Sequence, residues 1–232
     1  MNILITGASK GIGAELVKQF ATNPKNKIIA IARNNELLIS LKQYCLENYN
    51  NSIEIIPMDF LAEDFTKEIG SAIEKYKFDI VINNAGYLLN KAFTEYTSQE
   101  IENLFKVNTY APLQICQQVI ANNNNHPCHI INIGSMGGYQ GSVKFPGLSI
   151  YSASKAALAN LTECLAEEYK ETNIKINCLA LGSVQTEMLN KAFPNYKAQL
   201  TPQQIAKYIV DFGMNGQQYF NGKILPISNT TP

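Results

Sequence analysis

The chain has 232 residues, of which 46% are hydrophobic and 16% charged, a balance typical of a globular protein and not of a disordered one. Nineteen basic residues match nineteen acidic residues, so the charge gives no electrostatic basis for binding nucleic acid or an anionic membrane. No recognisable signal peptide or apolar run of roughly 18 residues occurs, and we expect a cytoplasmic protein.

Short apolar runs alternate with longer amphipathic segments along the chain. The predicted strands are Ile3–Ile5, Lys27–Ala32, Ile53–Ile56, Asp79–Asn83, His129–Ile133, Lys175–Ala180 and Lys223–Ile227. The predicted helices are Gly11–Ala21, Glu36–Glu47, Phe65–Lys75, Gln99–Asn122, Ser152–Glu171 and one that opens at Thr201. Apolar strands separated by helices indicate a parallel sheet covered on both faces. The pattern predicts one α/β domain over residues 1–232, a Rossmann-like doubly wound sheet of about seven strands.

Three local sequence signals indicate where helices begin or bend. Thr97 and Glu100 have the spacing of a capping box, and so do Thr201 and Gln204. Pro112 lies inside a predicted helix and should bend it or shift its hydrogen bonds.

The cysteines and histidines do not predict a metal site. The five cysteines form no CxxC pair, and four lie among apolar residues, which favours buried thiols in a reducing compartment. His126 and His129 are interpreted as surface or strand-end residues, because a metal needs more convergent ligands.

A glycine-rich turn, Thr6-Gly7-Ala8-Ser9-Lys10-Gly11-Ile12-Gly13, joins the first strand to the first helix. Such a turn lets the backbone approach a pyrophosphate, while the helix N-terminus supplies free N–H groups. The turn alone is weak evidence, but its position after the first strand of an alternating pattern favours a dinucleotide site.

The second strand ends without the acidic residue that would bind the ribose hydroxyls of NAD. Ala32-Arg33-Asn34 stands there instead. Arg33 and Lys10 could pair with a 2′-phosphate, so the sequence favours NADP(H) over NAD(H). Alternatively, both are ordinary solvated cations.

Tyr151 and Lys155 are four residues apart and share one face of a predicted helix. A nearby cation should lower the pKa of the phenol, which could then exchange a proton with a carbonyl or alcohol. The hydroxyl of Ser135 could orient the substrate oxygen. Taken alone, however, a Tyr-x-x-x-Lys pair is commonly a surface feature.

Together, the glycine turn, Asn83-Asn84-Ala85-Gly86, Asn108, Ser135 and the Tyr151/Lys155 pair resemble the main branch of the short-chain dehydrogenase/reductase family. The resemblance runs from Thr6 to about Thr186. It implies a catalytic tetrad in which Asn108 holds a water of the proton relay, alongside Ser135, Tyr151 and Lys155. It implies that Asp59 contacts adenine and that Lys155 also binds the nicotinamide ribose. The implied cofactor-binding residues are Gly7, Ser9, Lys10, Gly11, Ile12, Gly13, Arg33, Asn34, Asp59, Phe60, Asn84, Ala85, Gly86, Val107, Tyr151, Lys155, Gly182, Val184 and Thr186.

The resemblance implies an NADPH-dependent carbonyl reductase or alcohol dehydrogenase that moves hydride between nicotinamide and a small-molecule carbonyl or alcohol, with Tyr151 as acid/base. The alternative is a non-catalytic NADP(H)-sensing regulatory protein of the same fold. A homodimer or homotetramer is expected. A dimer could use the helices near Asn103–Ile120 and Ala156–Tyr169. The sequence does not select a substrate.

Two segments depart from the family pattern or vary within it. Leu181 replaces the usual proline before Gly182, which could loosen the turn beside the nicotinamide. The loop Met136–Ile150 and a lid over about residues 183–200 are expected to enclose the substrate. The candidate wall residues are Tyr139, Phe145, Leu148, Met188, Leu189 and Phe193.

Overall fold

The structure is a computed structural model that describes residues 1–123 and 125–228. The predicted domain also includes residues 124 and 229–232, which lie outside the described residues. The strands are β1 (Asn2–Thr6), β2 (Lys27–Ala32), β3 (Glu54–Pro57), β4 (Ile80–Asn83), β5 (Cys128–Ser135), β6 (Ile174–Leu181) and β7 (Ile224–Ile227). The helices are α1 (Gly11–Ala21), α2 (Asn35–Tyr49), α3 (Phe65–Ile73), α4 (Ser98–Phe105), α5 (Ala111–Asn122), α6 (Ser149–Glu168), α7 (Glu187–Ala192) and α8 (Pro202–Asn215).

All seven strands pair in parallel in a single sheet of order β3-β2-β1-β4-β5-β6-β7. The order reverses direction between β1 and β4. In a doubly wound sheet, the loops at that point diverge to opposite faces and leave a crevice at the carboxyl ends of the strands. The predicted Rossmann-like fold is therefore confirmed.

Each face of the sheet is covered by a separate apolar layer. Residues of α1 such as Phe20 pack with Phe212 of α8 on one face. On the other face, Phe65 of α3 packs with Ile115 of α5. Strand residues alternate between the two layers, which explains why the strands are apolar throughout.

The predicted helix signals are present. Thr97 and Glu100 close a capping box at α4, and Thr201 and Gln204 close one at α8. The helix that Pro112 interrupts contains a π-helical turn at Lys106–Tyr110. Because proline has no N–H to donate, the ladder shifts locally.

Two element boundaries differ from expectation in ways that matter for function. Helix α6 begins at Ser149, not Ser152, so Tyr151 lies in its first turn. The lid segment contains the unpredicted helix α7, whose start is capped by the Thr186 hydroxyl accepting from the Leu189 N–H at 3.2 Å. The short helix gives the lid a defined backbone.

Four cysteines are buried, as expected, whereas Cys164 is exposed. No cluster of potential metal ligands occurs among residues 1–123 and 125–228. Within the same part of the chain, no helix combines the length and apolarity needed to cross a bilayer.

His129 lies at a strand end, as one of the two interpretations had it, but the other interpretation, a surface residue, is wrong. It lies within β5 with 2% of its surface exposed. One ring nitrogen lies 3.1 Å from the Gly213 carbonyl and the other 3.1 Å from the Asn177 side-chain amide. The neutral ring satisfies both partners, since Nδ1 can donate to the carbonyl while Nε2 accepts from the amide. His129 therefore ties β5 and β6 to the end of α8.

The burial of His129 predicts an acid-sensitive fold. Burial lowers the pKa of His129 to about 4, from an ordinary value of 6.5. The unfolded chain therefore takes up a proton first as the pH falls below 6.5. The free energy of unfolding should then drop by about 2 kcal/mol between pH 7.5 and 5, measured by urea unfolding. The loss should persist in His126→Gln and disappear in His129→Gln; a wild-type profile flat over this range would contradict the prediction.

Candidate active site

A cleft of about 1140 Å³ opens at the carboxyl ends of the strands. It is larger than most single-ligand pockets, which span roughly 300–1,000 Å³. Of the predicted site residues, only Gly13 and Asn108 do not line it. Those that do are Gly7, Ser9, Lys10, Gly11, Ile12, Arg33, Asn34, Asp59, Phe60, Asn84, Ala85, Gly86, Val107, Ser135, Tyr151, Lys155, Gly182, Val184 and Thr186.

The glycine turn is held against the segment after β4. Thr6 Oγ1 accepts hydrogen bonds from the N–H groups of Asn84 and Ala85 at 3.1 and 3.0 Å. Gly7 has φ +65°, and a Cβ placed there would lie 2.8 Å from Ala85 Cα. Added at Gly13, a Cβ would collide with the Gly7 carbonyl oxygen. Gly13 thus acts through packing rather than by facing the cleft.

The N-terminus of α1 faces the cleft with its donors available. Lys10 at the N-cap makes no side-chain capping bond, and the first turn contains no acidic residue. The first N–H groups of such a helix have no partner within the helix and carry the positive end of its dipole. This part of the cleft therefore fits a pyrophosphate.

The two candidate phosphate-binding cations differ in their surroundings. Arg33 is exposed and makes no hydrogen bond or ion pair within the described part of the chain. Lys10 instead forms a 2.8 Å ion pair with Glu187 in α7. Glu187 also pairs with Lys191 at 2.8 Å. Binding of Lys10 to another anion would require breaking its bond to Glu187.

Asn34 and Asp59 shape the adjacent end of the cleft. The Asn34 side chain caps α2 by accepting from the Leu37 N–H at 2.8 Å. The Asp59 carboxylate accepts from the Leu61 N–H at 3.0 Å and is otherwise exposed. Phe60 is buried against Phe65, which anchors this turn.

Ser135, Tyr151 and Lys155 meet at the opposite end of the cleft. Ser135 ends β5, and its Oγ accepts from the Gly137 N–H at 3.1 Å. Lys155 is buried, with Nζ donating to the Ile133 carbonyl at 2.8 Å. Burial lowers the pKa of Lys155 to about 8. Because Tyr151 and Lys155 are about one helical turn apart, both side chains line this end of the cleft.

The expected lowering of the Tyr151 pKa is not found. Burial raises the pKa of Tyr151, and hydrogen bonding to the Ser135 hydroxyl opposes this rise only in part. The phenol is consequently protonated at neutral pH. The sequence showed the nearby cation but not the desolvation, which depends on packing with Leu104 and Leu148.

Asn108 is completely buried, and both polar atoms of its side chain are hydrogen-bonded. Its Oδ1 accepts from the Tyr87 N–H at 2.8 Å, while its Nδ2 donates to the Tyr87 carbonyl at 2.8 Å and to Ser154 Oγ at 3.0 Å. Ser154 Oγ in turn donates to the Tyr151 carbonyl at 2.7 Å. Asn108 therefore joins the loop after β4 to the first turn of α6.

Sequence reasoning missed Thr6, Tyr87 and Ser154 as functional supports. Their positions inside or beside the glycine turn, Asn84-Ala85-Gly86 and Tyr151-Ser152-Ala153-Ser154-Lys155 were the available signal. Glu187 had no comparable signal, because its partner Lys10 lies 177 residues away in sequence.

Most of the residues expected to enclose the substrate do line the cleft. Phe145 and Leu148 line the cleft from the loop after β5, and Met188, Leu189 and Phe193 line it from the lid. Tyr139 does not line it. Tyr87, Leu88 and Tyr196 are further lining residues at this end.

Comparison with known proteins gives a consistent result. The model of the short chain dehydrogenase family matches residues 1–197. An uncharacterized oxidoreductase of Staphylococcus saprophyticus is 30% identical over 207 residues, which cover 88% of this chain and 87% of that protein.

Solved structures share the whole fold. A putative short chain dehydrogenase of Escherichia coli, complexed with NADPH, has 26% sequence identity and a TM-score of 0.85, covering 97% of this chain and 95% of its own. A 4-hydroxyisoleucine dehydrogenase complexed with NADH has 24% identity and a TM-score of 0.85, covering 98% of this chain and 96% of its own.

Proposed function

The chain belongs to the short chain dehydrogenase family of oxidoreductases, and from this premise we propose that it is an NADP(H)-dependent carbonyl reductase whose catalytic residues are Ser135, Tyr151 and Lys155. One observation carries the proposal. A single cleft has an uncapped helix N-terminus at one end and a buried, protonated phenol beside a serine and a lysine at the other. We propose that the seven-stranded sheet forms one cofactor-binding domain.

The glycine turn and the α1 N-terminus would hold the pyrophosphate of the cofactor. Asp59 and Phe60 would flank the adenine end, and Lys155 would bind the nicotinamide ribose. Gly182, Val184 and Thr186 would contact the nicotinamide. When bound, NADPH supplies the hydride that adds to the carbonyl carbon, and it is oxidised to NADP⁺.

Tyr151 completes the reaction by donating its hydroxyl proton to the carbonyl oxygen, which yields the alcohol. The buried phenol is protonated at neutral pH, so it is in the form that can donate the proton in this reduction. Ser135 Oγ would hold the carbonyl oxygen by hydrogen bonding. Asn108 is a positioning residue in this scheme, since it fixes the first turn of α6 through Ser154.

The direct test is NADPH absorbance loss with a panel of ketones and aldehydes, with NADH in parallel. We expect consumption of NADPH that depends on both the carbonyl compound and the enzyme. Tight NADPH binding without turnover on any member of the panel would contradict the catalytic proposal.

We propose that Arg33 gives the preference for NADP(H). It is exposed at the cleft, and its side chain has no hydrogen-bond or ion-pair partner among the described residues, so it can bind a phosphate without breaking another contact. The Escherichia coli neighbour contains NADPH, which agrees with this preference. Lys10 would contribute less, since it must leave Glu187.

Arg33→Gln should weaken NADPH binding about tenfold while leaving NADH affinity nearly unchanged, because it removes a charge-assisted bond to the 2′-phosphate. Fluorescence titration with both cofactors measures this. Lys25→Gln, an exposed cation outside the cleft, is the control and should change neither affinity. Equal affinity of the wild-type protein for NADH and NADPH would rule out the assigned role of Arg33.

A further inference from the structure

Apart from Ser135 and the hydroxyls of Tyr87 and Tyr196, the end of the cleft beside Tyr151 has mainly apolar walls. Leu148 and Tyr151 are buried in one apolar cluster, against which Leu88 and Phe193 pack. Met188 reaches the same place from the lid. A Cβ built on Gly86 would lie 3.8 Å from both Met188 Cε and Lys155 Nζ. The space next to the reacting groups is therefore bordered by aliphatic and aromatic side chains.

Some of these apolar walls remain exposed at the mouth of the cleft. Phe145 is 45% exposed and Met188 is 38% exposed, although both line the cleft. Covering such side chains with an apolar ligand is favourable by about 25 cal/mol per Å² removed from water. Their exposure matches a ligand with apolar substituents.

The charged groups at this end are already engaged. At this end, the described lining residues that carry charge are Lys155, Glu187 and Lys10, which is paired with Glu187. Lys155 Nζ is buried and donates to the Ile133 carbonyl, and in the proposed function its remaining donors bind the nicotinamide ribose. Glu187 pairs with Lys10 and Lys191. A carboxylate or phosphate on the substrate would lose its hydration here without gaining a free cationic partner.

We infer that the site takes an uncharged carbonyl compound with apolar substituents and discriminates against substrates carrying a carboxylate or phosphate near the reacting carbonyl. This inference rests on the proposed function. It selects one class from the small ketones, thioesters, sugars and larger ring systems that the fold can serve.

A pair of ketones matched in size tests the inference: 4-methylacetophenone, which is neutral, and 4-acetylbenzoate, which is anionic. We expect kcat/KM with NADPH to be at least about tenfold higher for the neutral ketone, because the carboxylate must be desolvated without a partner. Equal or faster reduction of the anionic ketone would overturn the inference while leaving the proposed function intact.

A charge placed on the wall gives a second test. Phe145→Arg should shift the ratio of the two kcat/KM values at least about tenfold toward 4-acetylbenzoate, since it supplies the missing cation. Val143→Arg is the matched control. Val143 lies in the same loop and is 50% exposed, but it does not line the cleft, so its ratio should be unchanged. An unchanged ratio in Phe145→Arg, or an equal shift in both variants, would contradict the assignment of this wall.

If neither ketone is reduced, a binding experiment distinguishes a wrong inference about the substrate from a wrong proposal of catalysis. In that case, each ketone is titrated into the protein–NADPH complex, and the change in NADPH fluorescence is followed. Binding of the neutral ketone alone would support the apolar site and count against catalysis. Equal binding of both ketones, or binding of neither, would overturn the inference.

Discussion

Replacing Tyr151 with phenylalanine is expected to lower kcat/KM for carbonyl reduction by a factor of about 10²–10⁴, the usual contribution of a positioned general acid. The substitution removes only the hydroxyl. The ring, which packs with Leu104 and Leu148, is retained. NADPH affinity and the melting temperature should therefore stay close to the wild-type values. Steady-state kinetics, fluorescence titration and thermal unfolding measure the three quantities.

Tyr208→Phe is the matched control. Tyr208 is 40% exposed on α8 and does not line the cleft, so its hydroxyl should not affect turnover. Wild-type-like turnover in Tyr151→Phe would refute the proposed proton donor. If the wild-type protein binds NADPH tightly but shows no turnover, it behaves as a non-catalytic NADP(H)-sensing protein would. No feature of the cleft, among the described residues, favours that alternative.

Local signals in the sequence predicted the fold, and the family resemblance predicted most of the cleft. The glycine turn after β1 and the four-residue spacing of Tyr151 and Lys155 depend on contacts within one strand–helix junction or one helix turn. Such contacts follow from backbone periodicity alone. Nearly every site residue implied by the family resemblance lines the same cleft.

The errors arise where distant segments meet. The Tyr151 pKa depends on burial by Leu104, which belongs to another helix. Lys10 pairs with Glu187 across the cleft, and His129 is buried by packing against α8. Neither spacing nor residue type reveals such tertiary contacts, so the sequence predicted which groups were present better than it predicted their electrostatic state.

The close approach of backbone segments at Gly7 predicts a second large effect. Gly7→Ala places a side chain at φ +65°, which costs roughly 1–2 kcal/mol for an L-residue. The new Cβ would also lie 2.8 Å from Ala85 Cα, and overpacking of this kind costs roughly 1–3 kcal/mol more. The turn must shift to relieve both. NADPH affinity should fall by roughly 30-fold or more, since each 1.4 kcal/mol of turn distortion costs about tenfold in binding.

Gly141→Ala is the control for the same substitution at a positive φ away from the cleft. Gly141 has φ +80°, but a Cβ built there meets nothing within 4 Å. This variant therefore carries the conformational cost without the collision, at a position outside the cleft lining. It should lose some thermal stability yet bind NADPH like the wild type, whereas Gly7→Ala should lose affinity in fluorescence titration. Similar NADPH affinities in the two variants would mean that the backbone geometry at Gly7 does not shape the cofactor site.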